Sequence, residues 1–359
     1  MTEPQSPVVP QINYKRRKNY WEPVYRPELI EKDYPEFNWD FTNTAGPKSC
    51  ICNGELLEQK IKVSESFVVK NQNFINCDFT GTFGDTRLSL KSCRFTNCDF
   101  GRSAWVNVKF SDCVFEKCSL STASFSEIQF LRCEWSDIGM SHEEMRLQNV
   151  MISNPAEFIN SAYTNRDKDE LAPYGKTVDY QVYRLEQTKS KIGRKILSNL
   201  EKTGDDDAFY AAVEACAKQI FAAKIIEATY KLGSLKRRLS IDAIRWSLLF
   251  SLYHIELGIV SLSGRINGWG GRIGRAVLCG VFLIVFFAIY FYGLGFFKDF
   301  PRALLAALEI TLLVGYTKYT STGTPWLEQL AYSINMVLGI WWYAVFVPTL
   351  INRISRVRI

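Results

Sequence analysis

The chain has 359 residues, enough for two or three domains, and its 43 Lys and Arg against 37 Asp and Glu side chains give a net charge of +6. This positive charge is spread along the chain, so it gives no argument for a nucleic-acid partner, and we expect none. The sequence has only two histidines, His142 and His254, and no Walker A, GxSxG or HExxH motif, so we expect neither an enzyme nor a metal site.

The first predicted segment, residues 1–60, is an arm rich in proline and tyrosine. It carries a basic run from Lys15 to Lys18 and lacks the apolar core of a secretory signal. We therefore expect the N-terminus to remain in the cytosol.

A five-residue repeat occupies the next segment, residues 61–152. Large apolar residues recur at every fifth position, namely Phe95, Phe100, Trp105, Phe110, Phe115, Leu120, Phe125, Phe130 and Trp135. A small residue lies two positions before several of them, as at Cys93, Cys98, Ser103, Cys113, Cys118, Ala123 and Cys133. Upstream, Cys77 and Phe79 show the same pair one residue out of phase. A sustained period of five is neither helical nor that of a strand.

This pattern resembles the pentapeptide-repeat family. The resemblance implies a right-handed, four-sided β-helix (quadrilateral, with one repeat per side), in which Phe95, Phe115 and Trp135 stack on one face. Cys93, Cys113 and Cys133 would then be small buried residues, not metal ligands or disulfides. From 70 to 150, nine Lys and Arg stand against ten Asp and Glu side chains, which argues against a DNA mimic. We expect a docking surface for an unknown cytosolic ligand or protein.

Residues 153–272 form a predicted α-helical connector. Apolar residues at helical spacing predict one helix over 178–202 and a second over 208–232, separated by Gly204 and three aspartates, which indicates a helical hairpin. A third segment, 242–262, is more apolar, but His254 and Glu256 interrupt it. We predict that it is a buried or interfacial amphipathic helix near the membrane and does not cross it.

The last segment, residues 273–359, contains two uncharged apolar stretches, 276–297 and 330–351, each long enough for a transmembrane helix. Arginines flank the pair on both sides, at Arg265, Arg272, Arg275, Arg353, Arg356 and Arg358. The positive-inside rule places both flanks in the cytoplasm. We therefore expect a multi-pass protein of the cell (inner) membrane, in contact with lipids and with both termini cytoplasmic.

Between the two stretches, residues 300–313 form a short apolar helical pattern that is followed by Val314, Gly315, Tyr316, Thr317 and Lys318. This arrangement resembles the pore loop of potassium channels. The resemblance implies a re-entrant pore helix, a selectivity filter over 313–318 lined by backbone carbonyls, and a homotetramer around a central axis. Permeant ions would be its only ligands, with no cofactor.

The loop departs from the potassium-channel pattern at three positions. Leu313 replaces the filter threonine, Thr317 replaces the second glycine, and Lys318 replaces an acidic residue at the outer mouth. These changes predict a weakly selective pore. Glu309, on the short helix, either pairs with Lys318 or is solvated in the outer vestibule.

Four residues of the second stretch are candidates for pore function. Gly339 and Pro348 are candidate hinges, although both residue types are frequent in membrane helices. Ser333 and Asn335 are candidate pore-lining residues that could equally form bonds between helices.

Together these patterns predict an ion channel of the tetrameric two-transmembrane, pore-loop type, gated through its cytosolic repeat domain, whose opening depolarises the membrane. The alternative is a membrane-anchored pentapeptide-repeat scaffold that binds protein partners without conducting ions.

Overall fold

The computed structural model describes residues 49–51, 67–75, 83–85, 88–96, 98, 100–101, 103–121, 123–140, 145–164, 166, 168–171, 177–201, 206–235, 240–314, 318–319 and 323–357. The chain divides into two units, one of Met1–Ala208 with Ala222–Phe250 and the other of Phe209–Phe221 with Ser251–Ile359. Most of the arm over 1–60, the offset pair Cys77 and Phe79, and the predicted filter residues Gly315, Tyr316 and Thr317 lie outside the described residues.

The repeat segment folds into short parallel strands. In the described residues these are β1 Ser49–Ile51, β2 Phe67–Lys70, β3 Asn73–Ile75, β4 Phe83–Asp85, β5 Leu88–Lys91, β6 Arg94–Thr96, β7 Ala104–Val106, β8 Lys109–Ser111, β9 Val114–Glu116, β10 Ser124–Ser126, β11 Gln129–Leu131, β12 Glu134–Ser136, β13 Arg146–Gln148 and β14 Met151–Ile152. They form parallel sheets in the orders β1-β3-β6-β9-β12, β13-β10-β7-β4 and β14-β11-β8-β5-β2. Every strand pairs with one about a coil away, so the segment is a β-solenoid of about three turns.

The predicted aromatic stack is confirmed by the strand register. Phe115 pairs with Phe95 on one side and with Trp135 on the other. Their ring centroids lie 4.8 and 4.4 Å apart, with interplanar angles of 8° and 10°. Phe74 continues the stack at 4.7 Å from Phe95. These distances match the spacing of adjacent strands, so the backbone ladder holds the rings in van der Waals contact.

The repeat cysteines are buried and pack against the backbone of the neighbouring coil. The Sγ atom of Cys113 lies 3.4 Å from the carbonyl oxygens of both Leu90 and Ser111. Burial, followed by the adjacent thiol of Cys98, raises the pKa of Cys118 well above its ordinary value. Such thiols stay protonated at neutral pH, which suits a packing role and makes them poor nucleophiles.

The corners of the solenoid use left-handed backbone conformations at residues that are not glycine. Ser92, Asp112 and Arg132, spaced by one coil, have φ of 54°, 55° and 51°. The amide of each donates a hydrogen bond to the next coil, as from Asp112 to the carbonyl oxygen of Leu131 at 2.9 Å. Arg132 Nε also donates to Asp112 Oδ1 at 2.7 Å. These bonds offset the strain of the corners.

The rest of the described chain is helical. The helices are α1 Pro155–Asn160, α2 Lys168–Leu171, α3 Val178–Leu200, α4 Asp206–Ser234, α5 Ile241–Asn267, α6 Ile273–Gly293, α7 Phe300–Thr311 and α8 Trp326–Val357, with a 3-10 turn over Gly268–Gly270. Tyr183 of α3 and Tyr230 of α4 stack with centroids 5.1 Å apart, as the predicted hairpin requires.

Two helices cover the C-terminal edge of the solenoid. In α1, Glu157 Oε1 accepts a hydrogen bond from the Trp135 amide at 3.0 Å, and the Phe158 ring meets the Trp135 ring at an angle of 84°. In α3, Asn199 Oδ1 accepts from the Val150 amide at 3.3 Å. The edge strands therefore have partners within the chain, which protects them from pairing with other strands.

Within the part of the chain that the structure describes, three helices are long and apolar enough to cross a membrane, over Ile241–Gly270, Ile273–Gly293 and Trp326–Ile354. The sequence predicted the second and third. The first is α5, which meets the criterion of length and composition although His254 and Glu256 lie in its middle. The chain is thus a membrane-associated protein with a β-solenoid.

Candidate functional site

The predicted pore loop lies between α6 and α8, and a shared apolar core joins these helices to the short helix α7. The core residues are Phe287, Ala288, Phe291, Ala303, Ala307, Ile310, Ala331 and Tyr332. In α7 the buried alanines Ala303, Ala306 and Ala307 lie three and four positions apart. Small residues at this spacing allow neighbouring helices to approach closely.

A buried hydrogen bond fixes the C-terminal end of α7 to α8. Thr311 Oγ1 donates to Asn335 Oδ1 at 2.8 Å, and Asn335 Nδ2 donates to the Ala307 carbonyl oxygen at 3.4 Å. Both Thr311 and Asn335 are 0% exposed. The sequence left open whether Asn335 lines a pore or bonds helix to helix, and in this chain it bonds helix to helix.

A close approach of α8 to the backbone of α7 explains the glycine at position 339. A Cβ atom there would lie 3.0 Å from Thr311 Cα, so α8 approaches the backbone of α7 as closely as glycine allows. Pro348 lies inside α8 and is exposed, and the Ser333 hydroxyl donates to the Gln329 carbonyl oxygen of its own helix at 2.8 Å. The hinge roles of Gly339 and Pro348 and a pore-lining role of Ser333 stay predictions.

Glu309 lies on α7 near its C-terminus and has two partners from the following loop. Its Oε1 atom is 3.6 Å from Lys318 Nζ, and its Oε2 atom accepts a hydrogen bond from the Tyr319 hydroxyl at 2.8 Å. Lys318 is 64% exposed, so this ion pair contributes little to stability. The hydrogen bond from Tyr319 is charge-assisted and therefore the stronger contact.

Tyr319 was not identified from the sequence as a partner of Glu309. Its ring lies 6.0 Å from Phe297 and 5.8 Å from Tyr332. The sequence signal for this contact was the position of Tyr319 directly after Lys318. If Lys318 reaches the Glu309 carboxylate, the adjacent Tyr319 lies close to it as well. Tyr319 thus connects the loop to the shared core and to Glu309.

The turn that ends α7 is strained. The Leu313 amide donates to the Ile310 carbonyl oxygen at 3.1 Å, and the Val314 amide donates to that of Glu309 at 2.9 Å. This pair of bonds is the Schellman motif, whose left-handed position is usually glycine. Here Leu313 occupies it with φ of 60°. A leucine in this conformation costs about 1–2 kcal/mol, and such strain is concentrated at functional sites.

The start of the predicted filter also exposes apolar side chains. Leu313 is 45% exposed and Val314 is 73% exposed. Leu305, in α7, is also exposed, at 53%. These residues need either lipid or another protein surface to cover them.

Comparison with known proteins gives one family match. Residues 89–128 match the family model of pentapeptide repeats with eight copies. This segment is a pentapeptide-repeat array. No curated protein matches the chain. Among solved structures, it is similar to a trypsin-treated form of QnrB1, a plasmid-mediated fluoroquinolone resistance protein, at 15% identity over 25% of this chain and 78% of that chain. The TM-score of 0.08 is too low for an argument from this likeness.

Proposed function

We propose that the chain is one subunit of a homotetrameric ion channel of the two-transmembrane, pore-loop type. In this proposal α6 and α8 cross the membrane, α7 is a re-entrant pore helix, and residues 313–318 line a weakly selective pore. The cytosolic solenoid, a right-handed four-sided coil, gates the pore in response to a ligand or protein. Permeant ions are the only ligands of the membrane unit.

The contact between Gly339 and Thr311 carries the proposal. Gly339 lies nine residues after Leu330, where the apolar stretch of α8 begins. At 1.5 Å per residue this is roughly 14 Å along the helix, near the middle of a hydrocarbon core about 30 Å thick. If α8 crosses the membrane, the end of α7 that contacts Gly339 lies deep in the bilayer. A connecting segment that merely joined two anchors at the surface would not reach this level.

The charges beside this contact support a pore. Glu309 and Lys318 lie beside the C-terminal end of α7, which is at that depth. An ionised side chain in the bilayer is costly unless it is paired or faces water. The partners of Glu309 reduce this cost, and the exposure of Lys318 is consistent with a water-filled mouth. A simple anchor has no need for either charge.

The signs of these charges support weak selectivity. The C-terminal end of a helix carries partial negative charge, which favours cations near the end of α7. In a tetramer, four copies of Lys318 would place a ring of positive charge beside it, which repels cations. The two effects oppose each other, so neither sign of ion is strongly favoured.

The experiment is recording of the purified full-length protein in planar bilayers, with reversal potentials measured in asymmetric salt. Lys318→Glu is the test variant, and Lys318→Arg is the matched control that keeps the charge. If Lys318 forms a free ring, Lys318→Glu shifts the reversal potential toward cations. If it mainly supports Glu309, Lys318→Glu loses the tetramer or the current, and adding Glu309→Lys restores it. The arginine variant should behave as wild type.

A membrane-anchored scaffold gives a different result in the same experiment. It predicts no current from the wild type or from any variant, and no change in assembly. A wild-type protein that is monomeric in nanodiscs and silent in bilayers would exclude the channel.

The proposal also includes location in the cell (inner) membrane with both termini in the cytoplasm. Variants with a cysteine at Pro10 or at Arg358 test it in intact cells with a membrane-impermeant thiol reagent. Neither position should react until the cells are opened. Labelling of either position from outside contradicts this topology.

A further inference from the structure

One face of α5 carries a row of exposed aliphatic side chains. They are Ile241, Ile244, Leu248, Leu252, Ile255, Ile259 and Leu262, and they are between 47% and 86% exposed. At 100° per residue the seven side chains fall within a sector of about 80°. We call this row the α5 stripe. An apolar row of this length on one side of a helix indicates a contact with another apolar phase.

Charged and polar side chains lie on both sides of the α5 stripe. By the same helical geometry Arg245 and Glu256 fall on one side of it, and His254 and Arg265 fall on the other. If α5 crossed the membrane, two of these groups, His254 and Glu256 near its middle, would enter the hydrocarbon core, where polar and charged groups are costly. If α5 lies along the surface, all of them reach the headgroup region while the α5 stripe faces the acyl chains. Length and average composition do not distinguish these orientations, whereas the one-sided distribution favours the second.

The C-terminal end of α5 is attached to α8, the third candidate span. Trp341 Nε1 donates a hydrogen bond to Ser263 Oγ at 3.1 Å, and Asn267 Nδ2 donates to Thr349 Oγ1 at 3.0 Å. Trp341 lies at the middle of α8, and Thr349 lies in its C-terminal half. The end of α5 is therefore bonded to a helix that is itself long and apolar enough for a bilayer.

Exposed arginines lie at the same end of α5. Arg265 is in its last turn, and Arg272 and Arg275 follow before the apolar part of α6. Guanidinium groups bind phosphate oxygens well, so three of them at one end of the stripe suit the phosphates of lipid headgroups. Water or a neutral protein surface would not require this combination of aliphatic and basic groups.

We propose that α5 lies in the plane of the membrane, with the α5 stripe in the acyl chains of a phospholipid bilayer and Arg265, Arg272 and Arg275 at the headgroup phosphates. This inference does not depend on ion conduction, since a scaffold anchored by α6 and α8 would hold α5 in the same way. It assigns two crossings, and not three, to the described helices.

The test measures the depth of two positions of the stripe in the full-length protein. Leu248→Cys and Leu262→Cys, each labelled with a nitroxide, are reconstituted in phosphatidylcholine–phosphatidylglycerol nanodiscs. Power-saturation spectroscopy with oxygen and a nickel chelate then gives the depth of each label. The two positions are fourteen residues apart, about 21 Å along the helix. We expect equal, shallow depths. Ser247→Cys and Ser261→Cys, at the same separation but outside the stripe, should be more accessible to the nickel chelate.

The other arrangements give different results. Depths that differ by about 20 Å for the two stripe positions show a helix that crosses the bilayer. Spin–spin broadening between labels, without contact with lipid, shows that a second copy of the chain covers the stripe. High accessibility to the nickel chelate at both positions shows that the stripe faces water. Any of these three results overturns the proposal. The parent chain, labelled in parallel, supplies the background from its native cysteines.

Discussion

The hydrogen bond between Thr311 and Asn335 provides a direct test of how α7 is attached to α8. Thr311→Val keeps the shape of the side chain and removes the hydroxyl that donates to Asn335 Oδ1. That oxygen belongs to a side chain with 0% exposure, so it would be left buried without its donor. An unsatisfied buried acceptor costs about 1–3 kcal/mol. Asn335→Leu should cost less at this pair, because the Thr311 hydroxyl can turn to a carbonyl oxygen of its own helix.

A double-mutant cycle measures the pair. Thr311→Val, Asn335→Leu and the double variant are unfolded as full-length proteins in detergent, and the free energies of unfolding are compared. We expect the double variant to be more stable than the sum of the single effects predicts, by about 0.5–3 kcal/mol. Ser333→Ala, which removes a hydroxyl bonded within its own helix, should cost no more than about 0.5 kcal/mol. Strictly additive single effects would contradict the attachment of α7 described above.

Four further predictions follow from packing and backbone geometry. Phe115→Ala removes the central ring of the aromatic stack and should lower the free energy of unfolding of the solenoid by about 3–5 kcal/mol. A denaturant titration measures this change, and an unchanged unfolding curve would refute the stack. Gly339→Ala adds a methyl group against backbone atoms and should destabilise the protein by about 1–3 kcal/mol, but Gly293→Ala, whose added Cβ would meet no described atom within 4 Å, should not. Leu313→Gly relieves the strain of a positive φ and should stabilise the protein by about 1 kcal/mol, measured as a higher melting temperature. A lower melting temperature would argue against strain at this position. Cys118 should resist iodoacetamide at pH 8 until the solenoid unfolds, because its raised pKa and its burial keep the thiol unreactive, and earlier labelling would show an open coil.

The solenoid was largely predictable because its register follows from two numbers, the five-residue repeat in the sequence and the 20-residue coil that the family resemblance implies. Once the repeat is five and a coil is 20 residues, Phe95, Phe115 and Trp135 must lie above one another, and the strand pairing agrees. The helices that cover the edge were not predictable in the same way. Their contacts depend on single side chains, such as Glu157 and Asn199, that reach backbone groups far away in the sequence.

The candidate site was predictable in its composition and, as one of two alternatives, in the pairing of Glu309 with Lys318, but not in its other contacts. A polar residue in an apolar helix, such as Asn335, signals a partner, but the cost of leaving it unpaired is the same whether the partner is water in a pore or another helix. Leu313 gave no signal of a left-handed turn, because leucine is among the residues that this conformation disfavours. For α5, His254 and Glu256 led to the prediction of a buried or interfacial amphipathic helix, but the α5 stripe was recognised only from the exposure of its side chains.

The perpendicular contact of Phe158 with Trp135 has a consequence for how this protein can change in length. Inside the solenoid each coil pairs with the coils beside it, so duplication or deletion of a 20-residue unit preserves the pattern of strand pairing. At the C-terminal end, the crossed ring and the Glu157 carboxylate occupy the place that a further coil would need. Evolution can therefore lengthen or shorten the array from within, but cannot extend it past α1 without first removing that helix.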